Sequence, residues 1–589
     1  MIKKRLYMAA GLSWVLGTAA WPAELTWQPW SDNLFKQAKA EHRLVILDLE
    51  AVWCHWCHVM NNETYSDPAV QALLRSGYIT VRVDQDSRPD LSNRYENYGW
   101  PATIIFDSNG RELAKRQGYI PPKPMASMLK AFIDDPTPGP SVQKEDALSA
   151  VESPFLSAAL QKKLRQSFAE YYDAEHGAWG TTLKFLDWDC VEYAMAQARK
   201  GDKEADHMAR QTLDAQQALL DPVWGGVYQY SAGGDWKEPH FEKIMQMQAE
   251  NMRIYALAYV QYHDPAYLKM AESIRSFLST FLTSPDGSFY TSQDADLVDG
   301  VHSADYFALN DAGRRRKGIP RIDQHIYARE NGWAIRALVN LYMASGKPVY
   351  LEEAEGAARA ILKTRTLQGG GFSHDREDAA GPYLGDTLAM GRAFLDLYTA
   401  TAEREWLTHA EEAADYIART FQNSGRHGPA VGYLTSAEKP VDQLSPSLER
   451  DENIAVARFA NLLFHYTGRK EYRQMAERAM RYLAIPQIAE RLQTAGVLLA
   501  NDELSLDPLH ITIVGPRKDP RASALFVTAL TAPGGYKRIE WWDPGEGRLP
   551  NQDVTYPQLK APAAFVCAQE NCSFPMSKPE ALRKRLERI

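Results

Sequence analysis

The decapeptide AVWCHWCHVM, residues 51–60, sets Cys54, Cys57 and His58 in a C-x-x-C-H pattern. Three chemistries use those residue types at that spacing. Two thiols one helical turn apart can open and close as a redox disulfide. The same pair can form thioether bonds to a c-type haem, with His58 as axial ligand. Two thiolates and an imidazole also make three of the four ligands of a structural zinc. A second pair, Cys567 and Cys572 in VCAQENC, reads as a structural bridge in oxidising surroundings. Cys190, in FLDWDCVEYAM, reads as a small buried hydrophobe at the start of a helix.

Other chemistry-bearing residues lie far downstream. His240 and Glu242 stand in PHFEK, Asp294 and Asp296 in QDAD, and Glu330 and Asp386 beyond them. Tyr230, Trp236 and Trp333 offer aromatic faces on which a sugar ring can stack. A glycosidase needs two carboxylates roughly 5–9 Å apart across the scissile bond, and an epimerase would prefer paired His bases. Acids in such loops also cap helices and close turns. They are candidates for binding a glycan or another small molecule.

The elements that must hold the cysteines are legible. LVILDLE (44–50) is an apolar run suited to a buried strand, and the Cys pair follows at once, on a helix-like stretch. YITVRVD (78–84) is a second strand. Thr103 to Phe106 read as a third, Asp107 to Gly110 as a hairpin turn, Arg111 onward as its partner, and Pro121 to Phe132 as a closing helix.

That order, with Trp53 before the first Cys, Trp100–Pro101 and Asp48 six residues before Cys54, resembles thioredoxin over about residues 27–134. The resemblance implies roles. Cys54 would be the nucleophile at a helix N-terminus, where free N–H groups and the helix dipole favour a thiolate. Cys57 would be the resolving thiol, Asp48 its proton acceptor, and Pro101 the cis-proline facing the dithiol. Trp100 would crowd the dithiol and narrow its substrates. A thioredoxin-like layer leaves no obvious room for a porphyrin and turns His58 into the helix, and no fourth zinc ligand is near in sequence. The dithiol is therefore the favoured reading, with no metal and no cofactor.

Residues 135–155 are rich in Pro, Ser and charge and read as a linker. Over 156–500 the apolar period becomes helical, as in Ala334, Ala337, Leu338, Leu341 and Tyr342. Helix pairs recur, punctuated by glycine–aromatic loops such as GGVYQY, DGSFYTS and GGGFSHD. About five pairs fit between Asp187 and Ala484, and a helix at 156–170 paired with one at 486–499 would close a ring. Six hairpins in a ring make an (α/α)6 toroid, resembling six-hairpin glycosidases and N-acylglucosamine 2-epimerases. YQYSAGGDWKEPHFEKIM, CHWCHVM, VDQDSRPD and GSFYTSQDADLVDG together resemble the spermatogenesis-associated family that fuses a thioredoxin-like domain to this toroid. Two departures stand out. Val52-Trp53 replaces the family's Ser-Thr, which supports a working redox centre, and Glu330-Asn331-Gly332-Trp333 replaces its W-N-G start. Residues 506–589 alternate strands and helices and read as a small α/β region without a phosphate-binding glycine loop.

At 589 residues the chain exceeds one core, so a multidomain fold is expected. Its N-terminal part is read as α/β thioredoxin-like, its middle as an all-α (α/α)6 toroid and its end as an α/β appendix. A net charge of -9 argues against nucleic acid. Residues 1–23 place Lys3, Lys4 and Arg5 before an apolar run, as in a secretory signal. Export to a periplasm is expected, the alternative being an uncleaved membrane anchor; no stable membrane partner is expected. The function expected is a thiol–disulfide oxidoreductase acting on protein thiols or disulfides, with the toroid as partner or glycan platform. The alternatives are a carbohydrate-active toroid with an accessory thioredoxin-like domain, and a non-catalytic scaffold.

Overall fold

The computed structural model describes residues 25–588 except 32, 96–98, 143–147, 377, 379, 427–428, 438–443, 492–493 and 569–570. The expected signal segment and residues 143–147 of the expected linker lie outside the described residues. Among those described, no helix is long and apolar enough to cross a membrane.

The first domain runs α1 (Leu34–Glu41), β1 (Leu44–Glu50), α2 (His55–Glu63), α3 (Pro68–Gly77), β2 (Tyr78–Asp84), α4 (Pro89–Tyr95), β3 (Ala102–Phe106), β4 (Glu112–Gln117) and α5 (Pro122–Asp134). Its sheet has the order β2-β1-β3-β4, with β1 parallel to β2 and antiparallel to β3. Strand β1 reads as a continuous apolar run because both its faces are covered. Val45, Leu47 and Leu49 pack with Leu34, Phe35 and Leu91, while Ile46 packs with Met60, Val70 and Leu129. By the two-residue period, Asp48 falls on the second face, the one α2 covers.

The large middle domain is a closed ring of six helical hairpins. The inner helices are α7 (Trp188–Arg199), α9 (Met245–Tyr262), α13 (Ala328–Ser345), α15 (Leu384–Thr401), α17 (Arg450–Thr467) and α20 (Ala495–Ser505). Each packs on the next, and α20 packs back on α7. Outside them lie α8 (Lys203–Gln216), α10 (Pro265–Phe277), α14 (Pro348–Arg365), α16 (Arg404–Thr420), α18 (Lys470–Leu483) and α6 (Ala158–Glu170), the last packing on α20. Short helices α11 (Ala304–Phe307), α12 (Asp311–Lys317) and α19 (Pro486–Ala489) sit in connections. So do the small strands β5 (Tyr172–Asp173), β6 (Ala178–Trp179), β7 (Tyr230–Ala232), β8 (Glu238–His240), β9 (Lys243–Ile244), β10 (Ser292–Gln293) and β11 (Ile322–Asp323).

The repeat has a physical signature. The fourth residue of an inner helix reaches back to the backbone of the glycine–aromatic loop before it. Gln248 holds Val227, Asn331 holds Phe289 and Asn453 holds Tyr433, each amide giving one bond and taking one at 2.7–3.0 Å. Thr387 does the same with one bond to Phe372 N at 3.1 Å. These polar side chains are buried, and the loops supply their partners. Gly332 follows Asn331 because α13 approaches α15 so closely that a Cβ there would lie 2.6 Å from Ala389.

The last region runs β12 (Leu509–Val514), α21 (Pro520–Leu530), β13 (Lys537–Trp542), β14 (Ala563–Ala568), β15 (Asn571–Cys572) and α22 (Pro579–Leu586). Its sheet, β13-β12-β14-β15, shares one continuous core with the toroid.

Candidate functional site: the buried dithiol and the cavity beneath it

Cys54 is the N-cap of α2. Its backbone is extended, and its Sγ accepts a hydrogen bond from Cys57 N at 3.1 Å. The two sulfurs are joined in a disulfide. The Trp100–Pro101 peptide, just before β3, is cis. Asp48 is buried, with Oδ2 on Arg82 at 2.9 Å and Oδ1 without a hydrogen-bond partner. Burial raises its pKa despite the Arg82 charge.

The dithiol is covered. Cys54 is 3% exposed and Cys57 4%, packed with Ala51 and Trp53 against Trp100 and the toroid's Ile244. The toroid's QDAD loop makes the closest contacts with α2. Ala295 N donates to Trp53 O at 3.3 Å. Asp296 takes both histidines of CHWCH, with His55 Nδ1 at 2.8 Å and His58 Nδ1 at 3.0 Å. The expectation that His58 turns into its own helix is therefore corrected. The ring faces outward onto the Asp296 carboxylate of the toroid. Burial works against the charge of His58, but the Asp296 hydrogen bond and the Asp294 and Asp299 charges lift its pKa to about 9. Burial likewise opposes the charge of Asp296, and the His55 and His58 bonds outweigh it, holding the carboxyl at about 2.

The remaining acids of this contact are held differently. Burial pushes Asp294 and Glu242 each up to about 7. Glu242 Oε1 receives a long bond from His55 N, 3.4 Å, and Oε2 has no hydrogen-bond partner and lies 4.0 Å from His240 Nδ1. His240 stacks on Tyr230 with ring centroids 4.2 Å apart, and burial lowers its pKa to about 4. His58, Asp294 and Asp299 bring ligand atoms within 4.8 Å of one another, a spacing open to a divalent ion, though Asp296 already supplies the counter-charge of His58.

The toroid candidates thus divide. His240, Glu242, Asp294 and Asp296 form the seat of the Cys helix. Tyr230 backs that seat through His240, and Trp236 donates to His176 O at 2.6 Å beside an aromatic cluster around Trp224. Trp333 alone among these seven lines the central cavity. That cavity, about 370 Å³, lies inside the ring under the first domain, whose Trp53, Asp86 and Trp100 help to close it. Trp53 Nε1 donates to Asp86 Oδ2 at 2.7 Å, and toroid His374 Nε2 lies 2.6 Å from Asp86 O. Asn93 reaches Glu452 at 3.1 Å. Asp86 sits in VDQDSRPD, so the motif was visible in the sequence, but its partner was not. Asp189, Arg392 and Glu449, which also line the cavity, carry no local signal.

Residues 9–134 match the Thioredox_DsbH family, a protein of unknown function, DUF255. The chain is 22% identical to human spermatogenesis-associated protein 20, over 95% of this chain and 89% of that protein. It is 22% identical to the uncharacterized protein B0495.5 of Caenorhabditis elegans, over 86% of each. A stretch of 103 residues, 17% of this chain, is 33% identical to the thiol:disulfide interchange protein DsbD 2 of Pseudomonas aeruginosa, covering 16% of that protein. The solved cellobiose 2-epimerase of Bacillus thermoamylovorans matches 55% of this chain and 87% of its own, with 11% identity and a TM-score of 0.42. The first domain is thioredoxin-like, and the resemblance to the spermatogenesis-associated proteins extends along nearly the whole chain.

Proposed function

We propose that the protein is an exported thiol–disulfide oxidoreductase in which Cys54 and Cys57 are the working pair. The observation that carries this reading is the Cys54–Cys57 disulfide set at the N-terminus of α2. In the reduced form the Cys54 thiolate attacks a substrate disulfide, forming a mixed disulfide and releasing one substrate thiolate. Cys57 then loses its proton, for which the free Oδ1 of Asp48 is the acceptor, directly or through water. The Cys57 thiolate attacks Cys54 Sγ, the internal disulfide closes, and the second substrate thiol leaves. Two electrons pass to the substrate, and the reverse sequence oxidises it. Because the sulfurs are buried, a protein substrate reaches them only when the toroid contact opens, which narrows the range of substrates. Export rests on the charged and apolar pattern of residues 1–23.

The test is a redox titration of the purified chain, with Cys54 and Cys57 followed by alkylation and mass spectrometry. A reversible two-electron transition between roughly −180 and −320 mV, the span of cellular thiol couples, is the expected result. A pair that never exchanges with dithiol buffers sinks the reading.

One observation favours a second reading, a carbohydrate-active toroid: the cavity holds indoles and carboxylates together. Its acids would be Glu330, Asp189 or Glu449 rather than Glu242 or Asp294. Sugar turnover that survives Cys54→Ser and falls with Glu330→Gln would establish it.

A further inference from the structure

The N-terminal turns of the inner helices α7, α9, α13, α15 and α17 face the cavity. Asp189, Glu330, Asp386, Asp451 and Glu452 all occupy such first turns, where an acid offsets the positive end of a helix. The acids around the cavity therefore have a plain helical explanation. The arginines below them do not.

Four arginines from four inner helices converge in the ring: Arg253 on α9, Arg336 on α13, Arg392 on α15 and Arg458 on α17. Three have carboxylate partners. Arg253 holds Glu250 at 2.6 Å and Glu192 at 2.8 Å. Arg336 holds Asp396 at 3.2 Å. Arg458 holds Glu192 and also Glu503 at 2.8 Å. Arg392 lines the cavity, and among the described residues no group forms a hydrogen bond or ion pair with it. The acid whose charge acts on it, Glu250, is already taken by Arg253. A guanidinium that no carboxylate holds, set among three like charges, is costly. Burial first, then Arg336, Arg458 and Arg253, push its pKa down to about 9. Three of the four arginines are held by carboxylates, and the fourth turns into the cavity with no such bond among the described residues.

We infer that the cavity binds a small oxyanion-bearing molecule, a carboxylate or a phosphate, whose charge pairs with Arg392 and whose body rests on the indoles of Trp188 and Trp333. A space of about 370 Å³ suits a molecule of one or two sugar rings in size. This site stands apart from the dithiol, and its occupancy does not require redox turnover.

The experiment uses the full chain and three ligands of one size, D-glucuronate, D-glucose 6-phosphate and neutral D-glucose, at matched ionic strength in chloride. Isothermal titration measures affinity and melting measures stabilisation. At least one anion should bind roughly tenfold tighter than glucose, the worth of a charge-assisted bond, and the carboxylate and phosphate arms show which oxyanion is preferred. Arg392→Gln should erase the preference while the unliganded melting temperature stays the same or rises, since no protein partner is lost. Arg392→Lys should keep part of the preference, and Cys54→Ser all of it. Glucose binding as tightly as the anions, or no anion binding at all, would overturn the inference. So would an Arg392→Gln variant that melts lower or fails to fold, because Arg392 would then be structural.

Discussion

The two α/β regions at the ends of the chain share one sheet plan and differ at one corner of it. In each, a first strand pairs parallel with a second through a helical crossover, then antiparallel with a third, which forms a hairpin with a fourth before a closing helix. The orders are β2-β1-β3-β4 and β13-β12-β14-β15. Each presents the turn from first strand to helix to the toroid, but at opposite ends of the inner helices. Around that turn the first domain meets the N-terminal side, through His55, His58 and Asn93. The last region meets the C-terminal side, where Arg517 donates to Thr401 O at 2.8 Å and also to Ala402 O. There it satisfies carbonyls that a helix end leaves free. What stands at the N-cap differs most. Cys54 occupies it in one domain and Asp519 in the other, where the carboxylate accepts Arg521 N at 2.8 Å. An N-terminus that stabilises negative charge can be given a permanent anion, which adds stability. It can equally be given a thiol, whose charge then becomes easy to form and useful. The same physical device serves structure at one end and chemistry at the other.

The sharpest way to break this comparison is to remove each cysteine pair. Cys54→Ser should abolish the two-electron transition entirely. Cys567→Ala with Cys572→Ala should leave its midpoint unmoved, because those two residues face each other across β14 and β15, far from any helix start. A transition that follows the second pair would exchange the two roles.

Next in size is the clamp on α2. Asp296→Asn removes the counter-charge of both His55 and His58. The pH dependence has a defined sign. The raised pKa of His58, about 9 against an ordinary 6.5, gives stability that is whole below about pH 6.5 and is lost as pH rises through 9. The depressed pKa of Asp296, about 2 against 3.8, gives stability that is present above about pH 4 and lost as pH falls through 2. Asp294 and Glu242, raised to about 7, lose their share earlier, as pH rises from about 4 through 7. Docking should therefore be firmest near pH 4 and weaken as pH rises, the His58 part alone amounting to roughly 3 kcal/mol between pH 6.5 and 9, since each pKa unit represents about 1.4 kcal/mol. His58→Gln should flatten that slope in a melting series. A variant profile parallel to the native one would show that the contact carries no such linkage.

Smaller again is the C-terminal bridge. Closing so short a loop is worth about 2 kcal/mol in the chain-entropy account. The double alanine variant should lower the stability of the last region by that amount in a denaturant titration, with Trp541 and Trp542 on β13 as reporters.

Much of the fold was legible because its signals are local. A strand buried on both faces reads as LVILDLE, and an inner helix announces itself by the apolar stripe and the glycine–aromatic loop ahead of it. The Cys pair is local too, since a helix start and its cap lie within four residues. The seat of the pair is another matter. Asp296 contacts His55 across 241 positions, and nothing in QDAD distinguishes an acid facing the Cys helix from one facing the cavity. Arg392 is still less visible. It is one arginine on a helix, and it is singular only because three others have their partners and it has none among the described residues.

The smallest expected effect is also the most direct test of the shared corner. Asp519→Ala removes a capping carboxylate from α21 and should cost about 1 kcal/mol, the usual worth of an N-cap. Measured against the reduced native protein, Cys54→Ser should cost less than that, because a serine oxygen at the same place accepts the Cys57 N–H that the sulfur accepts now. The two substitutions then separate the two uses of one position: the first lowers stability and leaves redox behaviour alone, the second abolishes redox behaviour and leaves stability nearly unchanged. If Cys54→Ser instead destabilises the first domain by several kcal/mol in denaturant, the disulfide is part of the scaffold, and the two corners do the same job.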